Sequence, residues 1–88
     1  MRVYKYPLDV VGEQLVMMPA GARTLCVQVQ YERPCVWALV DESAPLEARW
    51  FFTHGTGHPT AEALGAYVGT YQLDNGALVF HVFERTRL

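Results

Sequence analysis

The sequence predicts an all-β fold of mainly antiparallel strands: a small sandwich or partly open barrel of about six or seven strands, with at most one short helix. Three observations carry that expectation. Segments rich in Val, Tyr, Phe, Trp and Thr recur at intervals of about ten residues, with Gly, Pro, Asn and Asp between them. Within several of them apolar and polar residues alternate, the period that sets one face of a strand against a core. Between the last two segments stands Asn75-Gly76, whose residues accept the two positive-φ positions of a type I′ hairpin turn.

Seven strands are expected, at Arg2–Tyr6, Glu13–Met18, Thr24–Tyr31, Cys35–Asp41, Glu47–Thr53, Ala66–Leu73 and Ala77–Glu84. Pro19-Ala20-Gly21-Ala22 and Ser43-Ala44-Pro45 read as turns. Thr24–Tyr31 alternates, with Leu25, Val27, Val29 and Tyr31 on one side and Cys26, Gln28, Gln30 and Glu32 on the other. Cys35–Val40 has no polar residue, so both of its faces are covered and the strand is central. A turn at Glu32-Arg33-Pro34 joins these two strands, setting Cys35 near Tyr31 and away from Cys26, so the thiols are not bridged. The Asn75-Gly76 hairpin pairs Leu73 with Leu78, Tyr71 with Phe80 and Gly69 with Val82 on a core face. Its other face pairs Gln72 with Val79, Thr70 with His81 and Val68 with Phe83, a mixture suited to an interface or a ligand floor. The one helical candidate, Thr60–Gly65, has an N-cap hydroxyl and a terminal glycine.

The 88 residues make a single β-rich domain, residues 1–88. With 51% hydrophobic and only 18% charged residues, the chain carries more apolar material than one small core hides. Self-association as a homo-oligomer, or a contact with another protein, covers the excess. The net charge is −2 and the basic residues are scattered, so no stripe exists for a nucleic-acid backbone. The first residues lack a signal-peptide core and no apolar run approaches the ~20 residues of a membrane span. The expected compartment is the cytoplasm.

The most unusual stretch is Thr53-His54-Gly55-Thr56-Gly57-His58-Pro59, a glycine-rich loop flanked by imidazoles. Glycines let backbone N–H groups converge on an anion, so Gly55, Thr56, Gly57, His54 and His58 are candidate ligand-binding residues, the competing reading being a plain tight turn. The stretch is neither the dinucleotide fingerprint nor a Walker loop. His54, His58 and His81 do not form a metal motif, because Gly-Thr-Gly between the first two disfavours a helix, and no metal or cofactor is expected. His81 opposite Thr70 reads as a strand histidine with a hydroxyl partner. Ser43, the single serine, and Cys35 lack a nucleophile motif or base, so the chain is not expected to be an enzyme. Trp50, Phe52 and His54 share one face of their strand and Arg49 and Phe51 the other; a ring beside an arginine and a glycine-rich loop is equipment for gripping a nucleotide. Arg49, Trp50, Thr70 and His81 complete the candidate set.

Tyr4-Lys5-Tyr6-Pro7-Leu8, Val27-Gln28-Val29-Gln30, Trp37-Ala38-Leu39-Val40-Asp41, Gly55-Thr56-Gly57-His58-Pro59, Tyr67-Val68-Gly69-Thr70-Tyr71-Gln72 and Leu78 to Glu84 together resemble a family of small uncharacterised proteins of bacteriophages and prophages. The resemblance spans almost the whole chain and brings no catalytic residues with it. It implies a protein that acts on the host as a non-enzymatic takeover or anti-defence factor. One version is an oligomeric sponge for a nucleotide-type immune signal; the alternative is an inhibitor or accessory subunit docking on a host or phage protein without a small ligand.

Overall fold

The structure, a computed structural model, describes residues 1–60 and 64–85. Seven strands follow one another: β1 (Arg2–Pro7), β2 (Glu13–Pro19), β3 (Arg23–Gln30), β4 (Arg33–Val40), β5 (Leu46–Gly55), β6 (Ala66–Leu73) and β7 (Leu78–Arg85). They form two antiparallel sheets, in the orders β1-β4-β3 and β2-β5-β7-β6. One core lies between them, so the strands make an open sandwich and not a closed barrel. Val27 of β3 and Val36, Ala38 and Val40 of β4 meet Met18, Phe51, Tyr71 and Val82 of the larger sheet, with Leu8 and Ala22 at the margins. As the wholly apolar run predicts, β4 is the central strand of its sheet. Its outward Trp37 is half-buried, with the Lys5 ammonium 6.0 Å from the ring centroid.

The Asn75-Gly76 hairpin forms as expected. Three residues in a row are left-handed, Asp74 (φ 54°), Asn75 (φ 53°, ψ 32°) and Gly76 (φ 89°), and the last two hold the central positions of a type I′ turn. The Ala77 N–H closes it by donating to the Asp74 carbonyl at 3.0 Å. Pairing runs from Leu73–Leu78 to Gly69–Val82 in the predicted register, and then breaks. A bulge between Tyr67 and Gly69 puts Tyr67, not Val68, opposite Phe83 and lets Val68 pack on the core.

The β3–β4 turn differs from expectation. It is made by Tyr31 (φ 50°) and Glu32 (φ 64°), two residues not enriched in the left-handed region. Cys35 therefore pairs with Gln28 and not with Tyr31, and Cys26 with Trp37; both thiols are free. Pro34, a turn signal in the sequence, sits inside β4 just past the last β1 ladder pair, Pro7–Cys35; its carbonyl accepts from the Leu8 N–H at 2.8 Å, and the Leu8 carbonyl, which a proline cannot serve, accepts from Arg33 Nε at 3.4 Å. A bulge between Thr24 and Cys26 moves Leu25 off the core face, and Tyr31 stands 94% exposed at the turn tip. The predicted helix lies across residues 61–63, outside the described residues.

The sheets approach most closely where β3 meets β6. A Cβ on Gly69 would stand 2.7 Å from Val27 Cγ1, so only glycine permits this approach. Gly69→Ala should cost about 1–3 kcal/mol in denaturant melts. In the Val27→Ala background the same substitution should cost clearly less, because the colliding methyl group is gone.

At the far end of β4, Glu42 accepts hydrogen bonds from Tyr4 Oη at 2.7 Å and Arg2 Nε at 2.6 Å. The Tyr4 bond, then the Arg2 bond, holds the Glu42 carboxyl below its ordinary value; the Ser43 hydroxyl and amide do the same for Asp41. Folding lowers both pKa values, so their stabilisation is present above the ordinary carboxylate range and lost as pH falls through the lowered values. Glu42→Gln, which mimics the protonated carboxyl, should therefore lower the neutral-pH Tm slightly, leave the acid-side value near wild type and so flatten the fall between them, as read from thermal melts across pH.

Candidate functional site

Alternation along β5 and β7 decides which side chains leave the four-stranded sheet on its solvent side. Phe51 and Val82 are wholly buried, which sends Trp50, Phe52 and His54, and likewise His81, Phe83 and Arg85, to the opposite face. Cross-strand register gathers them into three lateral rows. The first is Thr70, His81 and His54; the second is Tyr67, Phe83, Phe52 and Glu13; the third is Arg85, Trp50 and Leu15.

Two members of the first row, Thr70 and His81, belong to a hydrogen-bonded chain. Tyr67 Oη lies 2.6 Å from Thr70 Oγ1, which lies 2.9 Å from His81 Nδ1. On the other side of the ring, His81 Nε2 is 2.7 Å from Thr56 Oγ1. A hydroxyl can donate or accept, so either neutral tautomer of His81 is satisfied. The predicted pairing of His81 with the Thr70 hydroxyl is thus present, and Thr56 adds a second one.

The second row is aromatic. Phe83 takes Tyr67 and His54 edge-on, at centroid distances of 5.6 and 5.9 Å. The Arg85 guanidinium lies over Phe52 at 4.0 Å, and Phe52 is only 5% exposed although it leaves the outer face. The cation shields the ring and is itself held at the face.

The glycine-rich loop is a turn. The His58 N–H donates to the Gly55 carbonyl at 3.1 Å, the Thr56 N–H donates to Val79 at 3.2 Å, and Gly57 supplies φ 81°. A Cβ on Gly55 would stand 2.7 Å from His58 Nδ1, so the imidazole lies over the glycine. Both of those amides serve the protein's own carbonyls, and the loop's contribution to the face is the Thr56 hydroxyl.

Of the predicted residues, the fold brings together His54, Thr56, Trp50, Thr70 and His81. Gly55, Gly57 and His58 border them. Arg49 stands apart: it points inward, where its Nη1 donates to the Ala22 carbonyl at 2.8 Å and its Nε to Glu84. Sequence reasoning missed Arg85, Phe83 and Tyr67 as companions of Trp50 and Phe52. Their nearness depends on β5 pairing directly with β7 although β6 comes between them in the sequence, which no local spacing encodes. Among the described residues, no three His, Cys, Asp or Glu side chains are grouped to hold a metal ion.

Fold and face together define a small two-sheet β protein with one sheet surface carrying aromatic rings, imidazoles, hydroxyls and a guanidinium. The chain belongs to the family described as a domain of unknown function (DUF7352), whose model matches residues 1–88. No curated protein and no solved structure matches it. Among the described residues no helix is long and apolar enough to cross a membrane.

Thr70 Oγ1 serves both Tyr67 and His81, so Thr70→Val should destabilise by about 1 kcal/mol. Tyr67→Phe added to it should cost little more, and a double-mutant cycle in urea reads that coupling.

Proposed function

We propose that this chain is a non-enzymatic binding protein whose ligand face is the outer surface of the β2-β5-β7-β6 sheet, and whose ligand is a nucleotide-type small molecule. The supporting observation is the ordering of the three rows: rings that can stack on a base, hydroxyls and an imidazole that can hydrogen-bond sugar or base edges, and Arg85 for a phosphate. The scattered basic residues favour one small anion over a polyanion, which would need a continuous stripe. Both His81 nitrogens are already engaged by threonine hydroxyls, which supports binding over proton transfer. The resemblance to small phage and prophage proteins supports a phage-encoded anti-defence role: an oligomeric sponge in the bacterial cytoplasm that sequesters a nucleotide-type immune signal.

Exposed Leu15, Met17 and Tyr67 on the same face support a second reading, an inhibitor or accessory subunit that docks on a host or phage protein.

A thermal-shift and calorimetry series with cyclic nucleotides and ADP-ribose derivatives separates the two. Ligand at 100 times its Kd should add about 2.7 kcal/mol of stability, raising Tm by about 10–20 °C. Trp50→Ala and Arg85→Ala should each weaken that ligand at least about tenfold, the loss of one stacking or charge-assisted contact. Turnover of the ligand would refute the non-enzymatic reading. No shift with any nucleotide, alongside a host protein that co-purifies in defined stoichiometry, would transfer the case to the second reading.

A further inference from the structure

Each sheet has two edge strands, and an edge offers unpaired N–H and C=O groups to any passing strand unless something blocks it. Three of the four are managed. β3 and β6 cover one another at the Gly69–Val27 approach. β1 carries Arg2 and Lys5 and ends at Pro7. β2 is different. From Gln14 to Met18 it has no charge and no proline, and its register with β5 runs from Glu13–Phe52 to Pro19–Leu46 without a bulge.

We propose that β2 pairs with β2 of a second copy of this chain, antiparallel about a two-fold axis at Val16. The residues are arranged symmetrically about that point. Leu15 and Met17 flank it on the outer face, 44% and 45% exposed, and Gln14 and Met18 flank it on the inner face. In this register Leu15 faces Met17 of the second copy, Gln14 faces Met18, and Glu13 faces Pro19. No like charges meet, so the edge is complementary to itself in charge as well as in pattern. The Gln14 side-chain amide raises no obstacle, since it already exchanges two hydrogen bonds with the Asp9 backbone at 2.8 and 2.9 Å. A two-fold axis perpendicular to the sheet keeps both outer faces on one side, so the two candidate ligand faces join into one surface. The inference deepens the self-association proposed above and does not depend on the ligand.

Light scattering on the whole chain tests it with a matched pair of variants. Wild type should have twice the 9.9 kDa chain mass. L15K/M17K sets lysine against lysine at both cross-strand pairs and should give a folded monomer by circular dichroism. L15K/M17E sets lysine against glutamate at the same pairs and should restore the dimer. In hydrogen exchange the Leu15 and Met17 amides, which point away from β5, should be protected in wild type and lose protection on dilution to monomer, a readout that stands even if a variant fails to fold. A monomeric wild type at micromolar concentration overturns the proposal, as does a dimeric L15K/M17K or a folded but monomeric L15K/M17E. A monomer that still binds nucleotide would remove this interface and leave the ligand reading standing; a dimer that binds none would do the reverse.

Discussion

The structure depends on one inward-facing cation. Arg49 leaves β5 toward the other sheet, donates to Glu84 of β7 and to the Ala22 carbonyl just before β3, and reaches Thr24 Oγ1 at 3.4 Å. Thr24 in turn donates to Glu84 at 2.7 Å. The two charged side chains are only 17% and 16% exposed, so each alone would face a desolvation cost of several kcal/mol. Together they satisfy one another and tie the start of β3 to the ends of β5 and β7. Such a group adds little net stability over an apolar one, but removing or displacing one partner leaves the other charge buried and unpaired, at a cost of several kcal/mol. Gly65 packs onto the same place: a Cβ there would stand 2.5 Å from the Glu84 carbonyl oxygen.

The outer face follows from that constraint. A strand alternates, so an inward Arg49 and Phe51 require an outward Trp50 and Phe52; a one-residue slip would strand the cation in water and turn the rings inward. The same logic on β7 sets Val82 and Glu84 inside and His81, Phe83 and Arg85 outside. The aromatic face is therefore the counterpart of the buried ion pair, not a failure of burial. Arg85 over Phe52 and the edge-on contacts around Phe83 organise those rings into a surface with fixed polar groups.

What could be read from the sequence is what is local. All seven strands were legible because turn residues punctuate them, and the β6–β7 register was legible because Asn75-Gly76 admits one turn type. The β3–β4 turn was not, since Tyr31 and Glu32 adopt positive φ against their own preference, and Pro34 offered a stronger but misleading signal. Neither bulge has a sequence mark, so Leu25 and Val68 were given the wrong sides. The site was half legible. His81 and Thr70 sit on one hairpin, and Trp50 and His54 on one strand, but joining the two sets needs the β5–β7 pairing, a contact between strands separated by β6 in the sequence. The glycine-rich loop showed the converse limit: its composition fits an anion cradle and a tight turn equally, and only its hydrogen bonds favour the turn.

The rows also set how the proposed ligand face and the proposed dimer would influence one another. The third row ends at Leu15 on the free edge, so Trp50 lies one strand from the two-fold axis, and a change there acts on both ligand and partner. The first row ends at His54 on β5, with Thr70 on the far edge strand β6. A perturbation of Thr70 reaches β2 only through three strand pairings, and one of His81 through two, so it changes the hydrogen-bonding side of the face while leaving the edge intact. Affinity and assembly are thus separable by position on a single sheet, because lateral distance across the strands, not sequence distance, measures how strongly two residues are coupled.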